Sequence, residues 1–351
     1  MNDLRWLTVF VAMLVCLLSP PTRAQDDGAP TLDVPAIPEP SGDLRVMVWN
    51  VQRGSNDFDH GPEKTLAWIR AANPDIVLMQ ESYDIDGDRA RLGPWLAAEL
   101  GWDHHQGDST HLCIFSPLVF EQTYFHEAWH GIGARLRDKE GRTLVAYSMW
   151  IDYRAYAAYA LRDDPAISDE DLLAKETDES DRYDQATDLL DHLREVGHLG
   201  DPGAPGGPIP LLVGGDWNCP SHLDWTAETE LVFRFRRDLP LPVSTAMQDA
   251  GFTDTFREVH PSPLVAPGIT WSPLFRGTRD EPGTADRIDR LYALPADPAA
   301  AVTAEGEAVP TRLRAIGAMT LPTVYEDEDI EQADRLFPSD HAALIVDLVW
   351  E

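Results

Sequence analysis

The chain has 351 residues, enough for one large domain or two small ones, and a core of that size needs no disulfide staples. Apolar residues at 43% and charged residues at 25% match an ordinary globular protein and exclude a disordered or collagen-like one. Acids outnumber bases, 60 against 28, for a formal charge of -32, so the surface repels polyanions and tight non-specific binding to nucleic acid is disfavoured.

The first two dozen residues read as a targeting segment. Arg5 supplies a basic start, Trp6 to Leu18 is an apolar run, and Pro20-Pro21 breaks it. Thr22-Arg23-Ala24 places small residues at the -3 and -1 positions of a cleavage site. The run is too short for a comfortable membrane span. A signal peptide over residues 1–24 is therefore expected, in a secreted or periplasmic protein with no integral membrane segment. Val15 is too large to precede a lipidated Cys16. Residues 25–43, rich in Pro, Asp and Gly, read as a linker, which leaves 44–351 as one domain. Cys113 and Cys219 remain after cleavage, and both one disulfide and two free thiols stay open.

Leu44 to Trp49 alternates and is β-rich, so it predicts a strand. Pro62 opens a helix with Leu66, Ile69 and Ala72 on one face, and Asn73-Pro74 ends it. Ile76 to Met79 suits a buried strand, and a second helix covers Ala90 to Leu100. Strands follow around Leu112–Phe115, Val119–Thr123 and Leu144–Ile151. Residues 162–191 are strongly acidic, but Tyr183, Ala186, Leu190 and Leu193 recur at helical spacing, which predicts a helix with a solvated acidic face. Gly200 to Pro210 reads as a loop, and Leu211-Leu212-Val213 as a buried strand running into Gly214-Gly215-Asp216. Ile288–Ala293, Arg312–Ala318 and Leu344–Val349 complete the strands. Strands and helices mixed along the whole length predict an α/β layered fold.

The chemistry sits at strand ends. Asn50 closes the first strand, Gln80-Glu81 the second, and Asp216-Trp217-Asn218 the buried central one, while Ser339-Asp340-His341 precedes the last. Polar groups at the rim of a sheet are how α/β enzymes gather a site from distant sequence. Carboxylates with an Asn carbonyl and no thiolate suit a hard cation, Mg²⁺, Mn²⁺ or Ca²⁺. With a general base and a His, such a set serves phosphoryl transfer to water.

These motifs, with Arg287-Ile288-Asp289, occur in the order found in the endonuclease/exonuclease/phosphatase superfamily, and the chain resembles its DNase I-like phosphoesterases from about Arg45 to Leu348. The segments Asp216 to Thr226 and Asp249 to Arg257, with Thr270-Trp271, resemble a secreted bacterial branch. The resemblance implies a four-layer αββα sandwich, two mixed β-sheets face to face with helices outside. It implies Asn50, Glu81 and Asp340 as metal ligands and Asp216 as the group that orients or deprotonates water. Asn218 and His341 would hydrogen-bond phosphoryl oxygens, with His341 held by Asp289. Removing one such transition-state contact costs on the order of 10²–10³ in rate. One position departs: Trp150 stands where many members carry a phosphate-contacting His, which leaves His126, His130 or Arg154 to take its place. His222 is expected to support the site from behind and, with Arg154, to bind substrate.

Other candidates are weaker. Asp84 to Asp88 lacks the Gly and Glu positions of a calcium loop and reads as a turn. His104, His105 and His111 read as structural or cleft-rim residues, and Glu326 to Asp329 as a solvated acidic run. The expected activity is a secreted, divalent-metal-dependent phosphoesterase acting on a phosphodiester or phosphomonoester. The charge favours a small phosphoester or lipid headgroup over long duplex DNA. A secreted nuclease, or a catalytically weakened relative that binds a phosphorylated ligand, is the alternative. A monomer is expected.

Overall fold

A computed structural model describes residues 32–200, 207–274, 283–297, 310–327 and 329–351. The expected signal peptide, residues 25–31 of the expected linker and residues 201–206 of the expected loop lie outside them.

The strands are β1 (Leu44–Asn50), β2 (Ile76–Gln80), β3 (Asp103–His105), β4 (Cys113–Ser116), β5 (Val119–Glu127), β6 (Gly131–Arg137), β7 (Thr143–Trp150), β8 (Leu211–Asp216), β9 (Thr253–Asp254), β10 (Asp289–Leu294), β11 (Leu313–Leu321) and β12 (Ala343–Trp350). They form two six-stranded sheets, ordered β11-β12-β1-β2-β4-β3 and β5-β6-β7-β8-β10-β9. Each sheet is mixed: β1 runs parallel to β2 and β7 parallel to β8, with antiparallel pairs around them. The helices are α1 (Gly61–Ala72), α2 (Leu92–Leu100), α3 (Ala157–Asp163), α4 (Asp169–Thr177), α5 (Arg182–Glu195), α6 (Ala227–Glu230), α7 (Pro242–Asp249) and α8 (Thr255–Val259).

Alternation along the strands sorts the core into layers. Val46, Val48, Leu78 and Ile114 of the first sheet pack against Ile132, Ala146, Leu212 and Leu291 of the second. The opposite face of the first sheet, with Met47, Val77 and Ile345, meets Leu66 and Ile69 of α1 and Leu96 of α2. The opposite face of the second, with Val145, Tyr147 and Val213, meets Leu189 and Leu193 of α5 and Val243 and Met247 of α7. The result is the four-layer αββα sandwich. Residues Val34–Glu351 form a single compact unit. Among the described residues no helix is long and apolar enough to cross a membrane.

Local chemistry explains the element ends. Pro62 sits in the first turn of α1, and Asn73 closes it in the left-handed region at φ 48°. After the last residues of α3 the acidic stretch forms two helices, α4 and α5; the amphipathic helix expected at its end is α5, and α4 is additional. Ser168 caps α4 by accepting the backbone N–H of Asp171, so the chain restarts there. In α5 the apolar stripe Ala186, Leu189, Leu190 and Leu193 is buried and Asp184, Asp188 and Asp191 face solvent. Cys113 and Cys219 are free thiols, one under α2 and the other under α7.

Candidate active site

Register brings the strand-end motifs to one rim. Asn50 lies beside Gln80 in the parallel β1–β2 pair, and the chain continues into Glu81. Asp216 lies beside Trp150 across β7–β8 and opposite Asp289 across β8–β10. The segment before β12 is stapled to β1: the Ser339 hydroxyl donates to the Asn50 carbonyl at 2.6 Å, and the Trp49 indole N–H donates to the His341 carbonyl at 3.1 Å. Gly214 lets the sheets approach, since a Cβ there would sit 2.7 Å from Leu78 and 2.8 Å from Val48.

The side chains then meet across the two sheets. The Asn50 amide donates to Glu81 Oε1 at 3.1 Å and to Asp216 Oδ2 at 3.0 Å. Asp216 Oδ1 accepts the Asn218 backbone N–H at 2.9 Å. Asn218, at φ 49°, donates one amide hydrogen to the Ile151 carbonyl, which leaves its second for a ligand. His341 Nδ1 donates to Asp289 Oδ2 at 2.9 Å, while its Nε2 stands 3.8 Å from Asp216 Oδ2. Asp340 takes its backbone N–H to the Gln52 side chain. Glu81, Asp216, Asn218, Asp340 and His341 line one cleft of about 1380 Å³, with Asn50 and Asp289 bonded directly behind them. Positive φ values gather here, at Gln52, Arg53, Ser55, Glu81 and Asn218, a concentration of backbone strain of the kind stored at functional sites.

Electrostatics follow from burial. Desolvation alone would lower His341, but the Asp289 and Asp216 carboxylates reverse it and hold the ring well above its usual range, as a cation. Burial raises Asp216, against the pull of His341 and with Asp289 adding to the rise. Burial also raises Asp340 to about 6, His341 opposing and Glu81 adding. Three carboxylates, Asp289, Asp216 and Asp340, thus converge around a single imidazolium, with Glu81 next to Asp340, and Asp340 Oδ1 and Asp289 Oδ1 are buried without a hydrogen-bond partner. An orphaned oxygen beside a like-charged neighbour fits a hard cation, with Glu81 and Asp340 as oxygen donors; the Asn50 amide, whose nitrogen faces Glu81 and whose oxygen accepts from the Gln52 N–H, would join them by a flip of its amide. Asp216, Asp289 and His341 also present ligand atoms within 4.8 Å of one another. With Nδ1 on Asp289 and a proton on Nε2, however, that histidine has no lone pair to give, so the Glu81 side suits a metal better.

Two expected site residues lie elsewhere. Among the described residues, neither Arg154 nor His222 lines the cleft. Arg154 forks onto Asp152 and reaches Asp181, so its charge is already committed. His222 donates its Nε2–H to Gln248 Oε1 at 2.8 Å, and its Nδ1 accepts from the Ser244 hydroxyl at 2.8 Å, which ties the Asn218 loop to α7. His126 and His130 do not line the cleft either; His130 stacks behind Trp150, rings 4° apart in tilt, and donates Nδ1–H to the Trp150 carbonyl at 3.1 Å. Trp150 itself lines the cleft and packs its inner edge on the core between the sheets.

Sequence reasoning missed the aromatic lining. Tyr83, Trp129, Tyr153, Tyr156, Tyr159 and Trp271 all face the cleft. The available signal was position: Tyr83 and Tyr153 each follow a motif strand by a few residues. It also missed a buried brace. Arg287 lies 2.9 Å from Asp224 and 2.7 Å from Asp254, and Arg257 donates to Asp224 at 2.6 Å. These pairs lock the segments around Asp224 and Asp254 beneath Asp289.

An αββα sandwich with such a rim defines the DNase I-like class. The chain belongs to the Endonuclease/Exonuclease/phosphatase family, whose sequence pattern matches residues 47–341. Members of this superfamily are generally hydrolases of phosphoester bonds and generally use divalent metals. The chain is similar to the uncharacterized protein F14F9.5 of Caenorhabditis elegans, 27% identical over 322 residues, covering 88% of this chain and 92% of that one. Its fold is similar to the crystal structure of an endonuclease/exonuclease/phosphatase from Beutenbergia cavernae, at a TM-score of 0.51 and 17% identity, covering 87% of this chain and 71% of that one. An AP endonuclease from Archaeoglobus fulgidus superposes at a TM-score of 0.49 with 16% identity, over 86% of this chain and 98% of that one.

Proposed function

We propose that the protein is an exported, divalent-metal-dependent phosphoesterase that hydrolyses a small phosphodiester or phosphomonoester. The observation that carries this is the convergence of Asn50, Glu81, Asp216, Asn218, Asp289, Asp340 and His341 from five separate segments on one rim. Glu81 and Asp340, with Asn50, would hold Mg²⁺ or Mn²⁺. When bound, such an ion supplies positive charge that polarises the phosphoryl oxygens. Asp216, with its raised proton affinity, takes the proton of the attacking water. The His341 Nε2–H and the free Asn218 amide hydrogen donate to the oxygens on which charge develops. Asp289 fixes the tautomer of His341 and favours its cation.

Charge at the rim supports a small substrate. Arg53 is paired with Asp57, and Arg91 lies 3.8 Å from Asp84, so these cleft cations are matched by acids and offer no track for a phosphate chain. The leader over residues 1–24 supports export, and the acting form is taken as a monomer.

The test is hydrolysis of bis(p-nitrophenyl) phosphate with Mg²⁺ or Mn²⁺, followed by plasmid DNA, sphingomyelin, inositol phosphates and nucleotides. The expected result is turnover that EDTA and Asp216→Ala both abolish. Turnover of none of these esters would leave a phospho-ligand-binding relative as the better reading.

A further inference from the structure

Five rings form a continuous chain along one wall of the cleft. His111 is its hub. It is fully buried, its Nδ1 accepts the Glu81 backbone N–H at 3.1 Å, and its Nε2–H donates to the Trp129 carbonyl at 3.1 Å. Both nitrogens are therefore used by the neutral ring. Tyr83 stacks on His111 at 5.3 Å and 16°, Trp129 leans on it at 5.2 Å, and Trp150 meets it edge-on at 5.3 Å and 89°. Tyr153 continues the row at 6.0 Å from Trp150. Of these, Tyr83, Trp129, Trp150 and Tyr153 open onto the cleft.

The row begins two residues after Glu81 and reaches Trp150, the register partner of Asp216. It therefore runs beside the place where phosphorus would sit. Its outer members, Trp129 at 44% and Tyr153 at 66% exposed, present ring surface to the cleft. Nearby acids are engaged: Asp84 faces Arg91, and Glu127 accepts the Trp129 backbone N–H at 2.7 Å. That favours a flat neutral ring over a cation.

We propose that Tyr83, Trp129, Trp150 and Tyr153 form a stacking ledge for an aromatic ring carried by the substrate beside its phosphate, so that the enzyme selects aromatic over alkyl phosphoesters. This rests on the phosphoesterase reading of the cleft. It also gives Trp150 a use of its own: the position holds a specificity element in place of a phosphate contact.

Calorimetric titration of the full chain with Mg²⁺ tests the ledge without turnover. The probes are methylphosphonate, phenylphosphonate, adenosine monophosphate and phosphocholine. Phenylphosphonate or adenosine monophosphate is expected to bind about tenfold or more tightly than methylphosphonate, the scale of one aromatic stack. Whichever is preferred identifies an aryl or a nucleoside source. In Trp129→Ala and Tyr153→Ala, both at exposed rings, that ratio is expected to fall toward one. In parallel, the ratio of kcat/KM for bis(p-nitrophenyl) phosphate over methyl p-nitrophenyl phosphate should fall in the same variants. Equal binding of all probes, tighter binding of phosphocholine, or a ratio unchanged in both variants overturns the ledge. Selective binding of the aromatic probes without any hydrolysis would support the ledge while the catalytic reading failed, and hydrolysis without selectivity would do the reverse.

Discussion

Asp289→Asn isolates the role of the carboxylate behind His341. The pair is buried, with Nδ1 and Oδ2 2.9 Å apart. At an effective dielectric of about 20 the attraction over that distance is about 6 kcal/mol, and the Asp216 contact at 3.8 Å adds about 4 kcal/mol. Burying an imidazolium costs several kcal/mol, so the cation stands only while both carboxylates face it. Asn keeps the shape and can still accept the Nδ1–H, yet it removes the larger attraction. The ring then reverts to its neutral form and loses one positioned, charged donor. The expected loss in kcat/KM toward bis(p-nitrophenyl) phosphate is about 10²–10³, near 3–4 kcal/mol of transition-state stabilisation. The decisive comparison is a double-mutant cycle. If Asp289 acts through His341, then Asp289→Asn added to His341→Ala costs little more than His341→Ala alone. Additive losses in that cycle, or Asp289→Asn within about threefold of the wild type, would refute the reasoning.

Arg287→Met leaves Asp224 and Asp254 buried with fewer cations, and urea unfolding should show a loss of about 3–5 kcal/mol with no change in m; a loss under 1 kcal/mol would contradict the brace. Burial would raise Asp152, but Arg154 and the backbone N–H groups of Arg154 and Asp181 hold its carboxyl down to about 2. Because the folded value is depressed, this stabilisation is complete above the unfolded carboxylate range and fades as pH falls from about 5 through 2. Arg154 is open to solvent, so the contribution is small. The gap between wild type and Asp152→Asn should therefore close on acidification, and a gap that widened would show the wrong sign.

The legible parts of this protein were local ones. Hydrophobic runs that end in Asn50, Glu81 and Asp216 announce strand ends in a few residues, and Pro62 and Asn73 announce the ends of α1. What joins those ends is register, which no single segment displays. β6 escaped notice because Gly131 and Gly133 dilute its pattern, although Gly133 is small for a packing reason: a Cβ there would come within 2.5 Å of the Tyr147 ring. β3 and β9 are short and gain their order from β4 and β10. Arg154 reads in isolation as a free cation beside the site, and only the fold reveals that Asp152 and Asp181 hold it. The ring ledge is a tertiary feature for the same reason, since Tyr83, Trp129 and Tyr153 come from three distant turns.

The central claim separates the metal-holding carboxylate from the proton-taking one, and initial rates against Mg²⁺ concentration test it directly. Wild type should show a saturable dependence that EDTA removes. Glu81→Gln should need about tenfold more Mg²⁺ or greater, as expected for weakening an ion's first contacts. Asp216→Asn should lower the plateau by about 10² or more while the midpoint stays near the wild-type value. Rates indifferent to EDTA, or two variants whose curves shift and fall alike, would contradict the division of labour drawn from this cleft.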